Sequence, residues 1–129
     1  QASISMAASV EALTGDQSFI TSHNESFLRR RDLVVKNLNE TPGLSCRVPE
    51  GAFYVFASCK GVLGKKTESG KIIEADGDFM DYLLEEVGVA GVQGSAFGLD
   101  GFFRISYATS DSILEDACQR IKLACSKLS

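Results

Sequence analysis

The pattern of apolar and polar residues along this 129-residue chain predicts helix, helix, strands, loop, helix, strands, helix. The helical segments repeat apolar side chains every three or four residues, so each has one face to bury. Helices that bury such faces against a small sheet form a two-layer domain. We therefore predict an α+β fold, with a small mixed or antiparallel sheet covered by helices on one face.

The two predicted N-terminal helices carry different patterns. Residues 3–13 are rich in alanine and stop near Thr14, so this helix has a thin apolar surface and is expected to pack on something larger. Residues 16–39 predict a longer helix, with Asp16 as a possible N-cap and Pro42 beyond its end. One stripe of the longer helix is expected to face the core: Ile20, Phe27, Val34 and Leu38, with Leu28 and Val35 at its flank.

Two more helices follow later in the chain. Asp76 or Asp78 can cap a helix that ends at Gly88, and Ser110 can cap a last helix whose dipole Asp111 complements. Their expected core residues are Phe79, Met80, Leu83, Leu84 and Val87 in the first, and Ile113, Leu114, Ala117, Cys118, Ile121, Ala124, Cys125 and Leu128 in the second.

Strands are predicted at residues 45–48, 52–57, 89–92 and 102–107. In the second strand both alternating sets are apolar, which is typical of a strand covered on both sides. The helices would supply one cover, and another domain or a substrate pocket the other. Of its aromatic residues Phe53 and Tyr54, at least one is expected in the core.

The last strand contains the strongest candidate for chemistry. Alternation sends Phe103, Ile105 and Tyr107 to one face and Phe102, Arg104 and Ser106 to the other. Arginine is a planar, permanently charged fork that can bind a carboxylate through two parallel hydrogen bonds. Arg104 is therefore the best candidate for a substrate contact. The alternative is an internal ion pair with an Asp or Glu of the chain.

Composition and charge narrow the class of protein. With 13 basic and 17 acidic residues, the net charge of −4 argues against a nucleic-acid partner. No apolar run approaches the ~20 residues that span a bilayer, and no signal-peptide pattern opens the chain, so we expect a cytoplasmic protein without a membrane partner. The length suits one domain with a modest core.

The remaining reactive residues are expected to be structural. Cys46, Cys59, Cys118 and Cys125 lack a CxxC pair or a histidine arrangement, so reduced thiols are favoured over disulfides or a metal site. His23 is expected on an exposed helix face. Arg31 falls on the apolar stripe of its helix, so it should reach solvent or pair with a buried acid. Residues 58–75, with four lysines, predict a mobile solvated loop, and the GKKT sequence at 64–67 lacks the spacing of a phosphate-binding loop.

Three motifs occur in an order that is informative: VPEGAFYVF at 48–56, VAGVQGSAFG at 89–98 and FFRISYA at 102–108. Together with the arginine cluster at 29–31, followed by Asp32, they resemble the C-terminal part of class I/II aminotransferases, and most of all those of the bacterial aspartate type. The likeness extends to Ile121. Gln93 stands where the family usually has proline, which leaves the rigidity of that loop open.

The resemblance implies a fold-type-I enzyme that uses pyridoxal phosphate, with Arg104 where the family's arginine holds the substrate α-carboxylate. In that family the lysine that attaches the cofactor, the aspartate at its pyridine nitrogen and the phosphate-binding loop lie in a larger preceding domain. No lysine here follows the family's Ser-x-x-Lys pattern. We therefore expect no catalytic and no cofactor-binding residue in this chain, and no activity or pyridoxal phosphate binding by the chain alone.

Residues 1–129 are accordingly interpreted as the small C-terminal domain, with residues 1–14 an interdomain helical segment and the large cofactor-binding domain absent. A start at Gln1 rather than Met fits a truncated or processed piece. The whole enzyme would be a homodimer of amino-acid metabolism that exchanges an amino acid and a 2-oxo acid. Aspartate and 2-oxoglutarate are the first expectation, with aromatic, alanine or prephenate-type substrates open. Two alternatives are a free-standing α+β module that binds a small carboxylate through Arg104 and a structural dimerisation domain.

Overall fold

A computed structural model describes residues 2–129. Its elements, in chain order, are α1 (Ser3–Thr14), α2 (Phe19–Asn39), β1 (Ser45–Cys46), β2 (Tyr54–Ser58), α3 (Asp76–Val87), β3 (Val92–Gln93), a 3-10 turn (Gly94–Phe97), β4 (Phe102–Ser106) and α4 (Asp111–Ser126).

The four strands form one antiparallel sheet in the order β1-β2-β4-β3. The long central pair sets the register, with Val55 opposite Ile105 and Phe56 opposite Arg104. Val55, Ala57 and Phe103, on one face of this pair, are buried with the apolar sides of α2, α3 and α4. The predicted α+β fold, with helices covering one face of the sheet, is confirmed.

The core lies between that face and the three helices. Its largest fully buried side chains are Phe79, Phe103, Leu38, Ile73, Leu83 and Ile121. Phe79 and Phe103 meet edge to face, with ring centres 5.6 Å apart. Tyr82 was absent from the expected core, yet it is buried because its hydroxyl donates to the Ala124 carbonyl oxygen at 3.0 Å. Two helices are thereby joined by a buried hydrogen bond.

Several helix predictions need correction. The second helix begins at Phe19, and Asp16 instead holds the turn before it by accepting from the Ser18 amide at 2.9 Å. The third begins after Ala75, where Asp78 accepts from the amides of residues 74 and 75. Four side chains expected in the core are exposed: Ile20, Leu28, Leu84 and Ile113. A helical apolar stripe is wider than the strip that touches the sheet, so its margins stay in water.

Helix α1 has no cover within the described chain. Every one of its residues is exposed, including Ile4 at 83% and Leu13 at 82% of their full accessibility. Packing of its apolar side chains on something outside the domain stays a prediction. By contrast, α2 and α4 are each buried along one side.

The segment 58–75 was expected to be a mobile, solvated loop, and that interpretation is wrong in one respect. Cys59, Val62 and Ile73 are fully buried, and residues 66 and 72 form an antiparallel bridge. The Gly64 amide donates to the Ile73 carbonyl oxygen at 2.8 Å. The lysines remain at the surface, while three well-spaced apolar side chains anchor the segment to the core.

The four cysteines are free and buried, as expected of small apolar side chains. His23 lies exposed on α2, against the edge of Phe19. Within residues 2–129, no group of acidic, cysteine and histidine side chains is arranged to hold a metal ion. No helix in this part of the chain has the length and apolar character needed to cross a membrane.

Candidate carboxylate-binding site

Arg104 lies in the middle of β4, and its side chain is on the face of the sheet that the helices leave open. Its neighbours Phe103 and Tyr107 point into the core, whereas Arg104 is half-buried and Ser106 exposed. The alternation predicted for this strand is therefore confirmed. Pairing with β2 on one side and β3 on the other holds the Arg104 backbone in place.

Two aromatic rings contact the Arg104 guanidinium. Its central carbon, Cζ, lies 4.9 Å from the centre of the Tyr54 ring and 4.5 Å from that of Phe97. Both distances are within the range of a cation–π interaction. We refer to Arg104, Tyr54 and Phe97 as the arginine platform.

No carboxylate of residues 2–129 forms an ion pair with Arg104, and no side-chain hydrogen bond of that region uses its guanidinium as donor. The internal ion pair that the sequence left open is thus not formed within the described residues. The ring faces stabilise the positive charge, and the N–H groups remain available for an anion.

The prediction that at least one of Phe53 and Tyr54 lies in the core is wrong. Neither Phe53 nor Tyr54 belongs to the buried core, because Phe53 is 51% exposed and Tyr54 is half-buried against Arg104. Within residues 2–129, the second strand is therefore covered on one side, and cover of its other side by another domain or a substrate pocket stays a prediction. The other side carries Tyr54 and Phe56, and Phe56 meets the Phe97 ring edge to face at 5.4 Å.

Phe97 reaches the platform from the 3-10 turn, which the sequence marked only as a run of small residues. Gly94 is required there, because a Cβ would collide with the Leu99 carbonyl oxygen. Gly98 ends the turn with a φ of +76°, a conformation that favours glycine. The small residues thus let the backbone turn tightly, and Phe97 is the large side chain that this turn presents.

Asp76 ties the turn to α3. Its carboxylate accepts a hydrogen bond from the Ser95 amide at 2.7 Å, and its side chain is buried, with 3% of the residue exposed. The sequence suggested Asp76 only as a helix cap. Its contact is with a residue 19 positions away, which no local pattern could have indicated.

Beside Arg104 lies an open depression of about 410 Å³. Its lining includes Tyr54, Gly91, Val92 and Ser106. This volume is within the range of small-molecule sites, roughly 300–1,000 Å³. Other depressions, of about 450 Å³ near Arg31 and about 710 Å³ along β1 and β2, do not include Arg104 in their lining.

The arginine cluster at 29–31 connects elements instead of facing the platform. Arg29 and Arg30 each donate from Nε to Asp111 at the start of α4, at 2.8 and 2.9 Å. These two hydrogen bonds, of which the one from Arg29 has the larger effect, hold the pKa of Asp111 below its usual value. Arg31 pairs with Asp32 at 2.8 Å and donates to the Pro49 carbonyl oxygen at 3.4 Å. Since Asp32 is an exposed acid, Arg31 reaches towards solvent, and the buried acid considered from the sequence is not its partner.

The lysines do not assemble a site for pyridoxal phosphate. Lys71, Lys122 and Lys127 form surface ion pairs with Asp78, Glu40 and Glu68. Lys60 lies over the Phe102 ring at 5.2 Å. No lysine among residues 2–129 contacts the arginine platform in an ion pair, hydrogen bond or cation–π pair, so these residues do not fit the cofactor by themselves.

The sequence family described as aminotransferase class I and II matches residues 2–121. The chain therefore belongs to this family. Among individual relatives, it is similar to the aspartate aminotransferase of Rhizobium meliloti (strain 1021), with 63% identity over 98% of this chain and 31% of the relative. A probable aspartate/prephenate aminotransferase of Rhizobium leguminosarum bv. phaseoli is 58% identical over 95% of this chain and 31% of its own length.

Solved structures give the same result. The crystal structure of the Rhizobium meliloti aspartate aminotransferase has a TM-score of 0.96 and 62% identity, and covers 99% of this chain and 32% of that one. The Thermus thermophilus aspartate aminotransferase with maleate has a TM-score of 0.76 and 33% identity, over 91% of this chain and 28% of that one. The chain thus spans about a third of the length of the relatives it matches.

Proposed function

We propose that residues 1–129 are the C-terminal small domain of a pyridoxal-phosphate-dependent aminotransferase, in which Arg104 binds the α-carboxylate of the substrate. Residues 1–14 would connect this domain to the cofactor-binding domain. The observation that carries the proposal is Arg104 itself, half-buried on the open face of the sheet with its N–H groups unused by any described carboxylate. Family membership and two named aspartate aminotransferase relatives support it.

The substrates would be an amino acid and a 2-oxo acid, with aspartate and 2-oxoglutarate the first candidates. When bound to the rest of the enzyme, pyridoxal phosphate would accept the amino group and withdraw electrons from the substrate. Arg104 would hold the carboxylate through two parallel hydrogen bonds and so fix the orientation of the bond that reacts. A relative named for both aspartate and prephenate supports keeping prephenate as a second substrate candidate.

Two further proposals concern the full-length enzyme and the chain by itself. The full-length enzyme is proposed to be a cytoplasmic homodimer, on the family resemblance. The chain alone is proposed to be inactive, because no lysine of its sequence follows the family's Ser-x-x-Lys pattern.

Substitution of Arg104 in the full-length enzyme tests the proposal. We expect Arg104→Ala to lower kcat/KM by an amount that corresponds to roughly 2–4 kcal/mol of activation free energy. This is in the range for removal of one partner of a buried charge pair. Arg104→Lys should recover only part of the loss, since lysine retains the charge but lacks the planar fork. The measurement is steady-state kinetics with aspartate and 2-oxoglutarate.

Arg120→Ala provides the matched control. Arg120 is also an arginine, but it lies exposed on α4 in an ion pair with Asp116, so its removal should leave kcat/KM unchanged. An Arg104→Ala enzyme with normal kcat/KM would refute the carboxylate-binding role. Such a result would favour the structural alternatives for this domain.

A further inference from the structure

Residues from three other elements support Arg104, two by direct contact and one through the 3-10 turn. Tyr54 opens β2, Phe97 belongs to the 3-10 turn, and Asp76 opens α3 and binds that turn. Tyr54 and Phe97 contact the guanidinium directly, whereas Asp76 acts at one remove. These contacts link α3, through the 3-10 turn and Phe97, to the Arg104 guanidinium.

The aromatic contacts restrict Arg104 without consuming its donors. A ring face attracts the guanidinium through its negative quadrupole, an interaction that uses no N–H group of the arginine. A carboxylate partner would fix the same side chain only by occupying the N–H edge. A guanidinium held by rings is therefore oriented in advance and still able to bind a carboxylate at two points.

Phe97 itself needs support, because it is 48% exposed and stands on a turn of four residues. Within the turn, the Gly98 amide donates to Ser95 and the Leu99 amide donates to Gly94, each at 3.0 Å. These bonds close the C-terminal side of the turn. At its N-terminal side, the Ser95 amide donates to the Asp76 carboxylate.

Asp76 is well suited to this task. A carboxylate accepts a stronger hydrogen bond from an amide than a neutral oxygen does, and the first turn of α3 favours negative charge. Asp76 is also nearly inaccessible to water, with 3% of the residue exposed, so its side chain has little freedom. Helix α3 thus fixes the position of the turn through one buried contact.

We propose that Asp76 and Phe97 are positioning residues for substrate carboxylate binding: Asp76 fixes the 3-10 turn, and the turn holds Phe97 against Arg104. The proposal rests on the proposed function of Arg104. It predicts that disturbing either residue weakens carboxylate binding although neither supplies a hydrogen bond to the substrate.

The test uses the full-length enzyme and maleate, an unreactive dicarboxylate, as competitive inhibitor. Phe97→Leu removes the ring but retains an apolar side chain, and we expect its maleate inhibition constant to rise about 3- to 30-fold. Asp76→Ala removes the acceptor and should raise it about tenfold. The conservative variant Phe97→Tyr keeps the ring and should stay within about twofold of the unmodified enzyme. Asp76→Asn keeps an acceptor oxygen but loses the charge, so its inhibition constant should lie between those of the unmodified enzyme and Asp76→Ala.

Phe102→Leu is the matched control, because Phe102 lies on the same strand as Arg104 but contacts Lys60 instead of the guanidinium. It should leave the inhibition constant unchanged. KM for the amino acid should rise with the maleate constant, while kcat changes less. A loss of packing alone would lower the unfolding temperature or the active fraction without changing maleate affinity.

Arg104→Ala separates the positioning role of Phe97 from the carboxylate-binding role of Arg104. If it weakens maleate binding while Phe97→Leu has the normal inhibition constant, the positioning role is refuted and the role of Arg104 stands. If Arg104→Ala itself binds maleate normally, the proposed function is refuted. Because Phe97 is half exposed, Phe97→Leu decides the role of Phe97, and Asp76→Asn decides that of Asp76, even if Asp76→Ala does not fold.

Discussion

The two faces of the sheet are built from the same strands but differ in what their residues do. On the covered face, Val55, Ala57 and Phe103 have no accessible surface. On the open face, Phe56 and Arg104 sit directly opposite each other and remain half-buried. Alternation along a strand thus separates side chains that stabilise the domain from side chains that are free to bind. Substitutions on the covered face are therefore expected to change the free energy of unfolding, and substitutions on the open face to change substrate binding.

The largest effect on stability is expected at Phe103. Its ring is fully buried and packs against Phe79, so Phe103→Ala should lower the free energy of unfolding by about 3–5 kcal/mol, through lost burial and the cavity left behind. Arg104→Ala, one position along, should change it by less than about 1 kcal/mol, because only ring contacts are lost. Urea unfolding of both variants measures the difference. Equal losses of unfolding free energy at the two positions would show that the open face contributes as much to stability as the covered face.

The second effect concerns the thiols, all four of which lie on the covered side. Burial raises the pKa of Cys125 to about 12 and those of Cys46, Cys59 and Cys118 to about 11, from an ordinary 9.0. In the unfolded chain these thiols ionise near pH 9.0, whereas the folded chain keeps them protonated. Their contribution to stability is therefore complete below pH 9 and is lost as the pH rises towards 11 or 12.

Cys125→Ala tests this linkage. Above pH 9 the free energy of unfolding should fall less steeply in this variant, by up to about 1.4 kcal/mol per pH unit, because its unfolded state has one thiol fewer to ionise. The measurement is urea unfolding between pH 8 and 10.5. Ser126→Ala, at an exposed neighbouring position, should keep the original slope. An unchanged slope in Cys125→Ala would mean that its thiol ionises equally well in the folded chain.

The smallest effect is expected where the chain enters β2. Ala52 has a φ of +64°, the left-handed conformation that side chains disfavour, and its carbonyl oxygen accepts from the Tyr107 hydroxyl at 2.9 Å. Ala52→Gly should stabilise the domain by about 0.5 kcal/mol, because relief of strain slightly exceeds the entropy that glycine adds to the unfolded chain. Ala117→Gly, within α4, should have the opposite sign. Thermal unfolding of the pair provides the measurement, and destabilisation by Ala52→Gly would contradict the strain.

Much of the site could be anticipated from local patterns. Period-two alternation placed Arg104 on the face opposite Phe103, and the order of three motifs identified the family. The carboxylate-binding role of Arg104 remains a prediction. Phe97 was not anticipated as part of the arginine platform, nor Asp76 as a support of its turn, because a ring on a turn and a capping aspartate have many possible neighbours in a linear sequence.

What the sequence determined by itself is the set of elements and their apolar faces, since these depend on spacings of two to four residues. The tertiary structure alone decided which margins of those faces meet water: Leu84 and Ile113 proved exposed, and Tyr82 buried. It also decided that Asp111 would bind two arginines of α2 and that Asp76 would hold Ser95. The physical reason is range: helix and strand periodicity is local, whereas these contacts depend on how elements far apart in the chain are packed together.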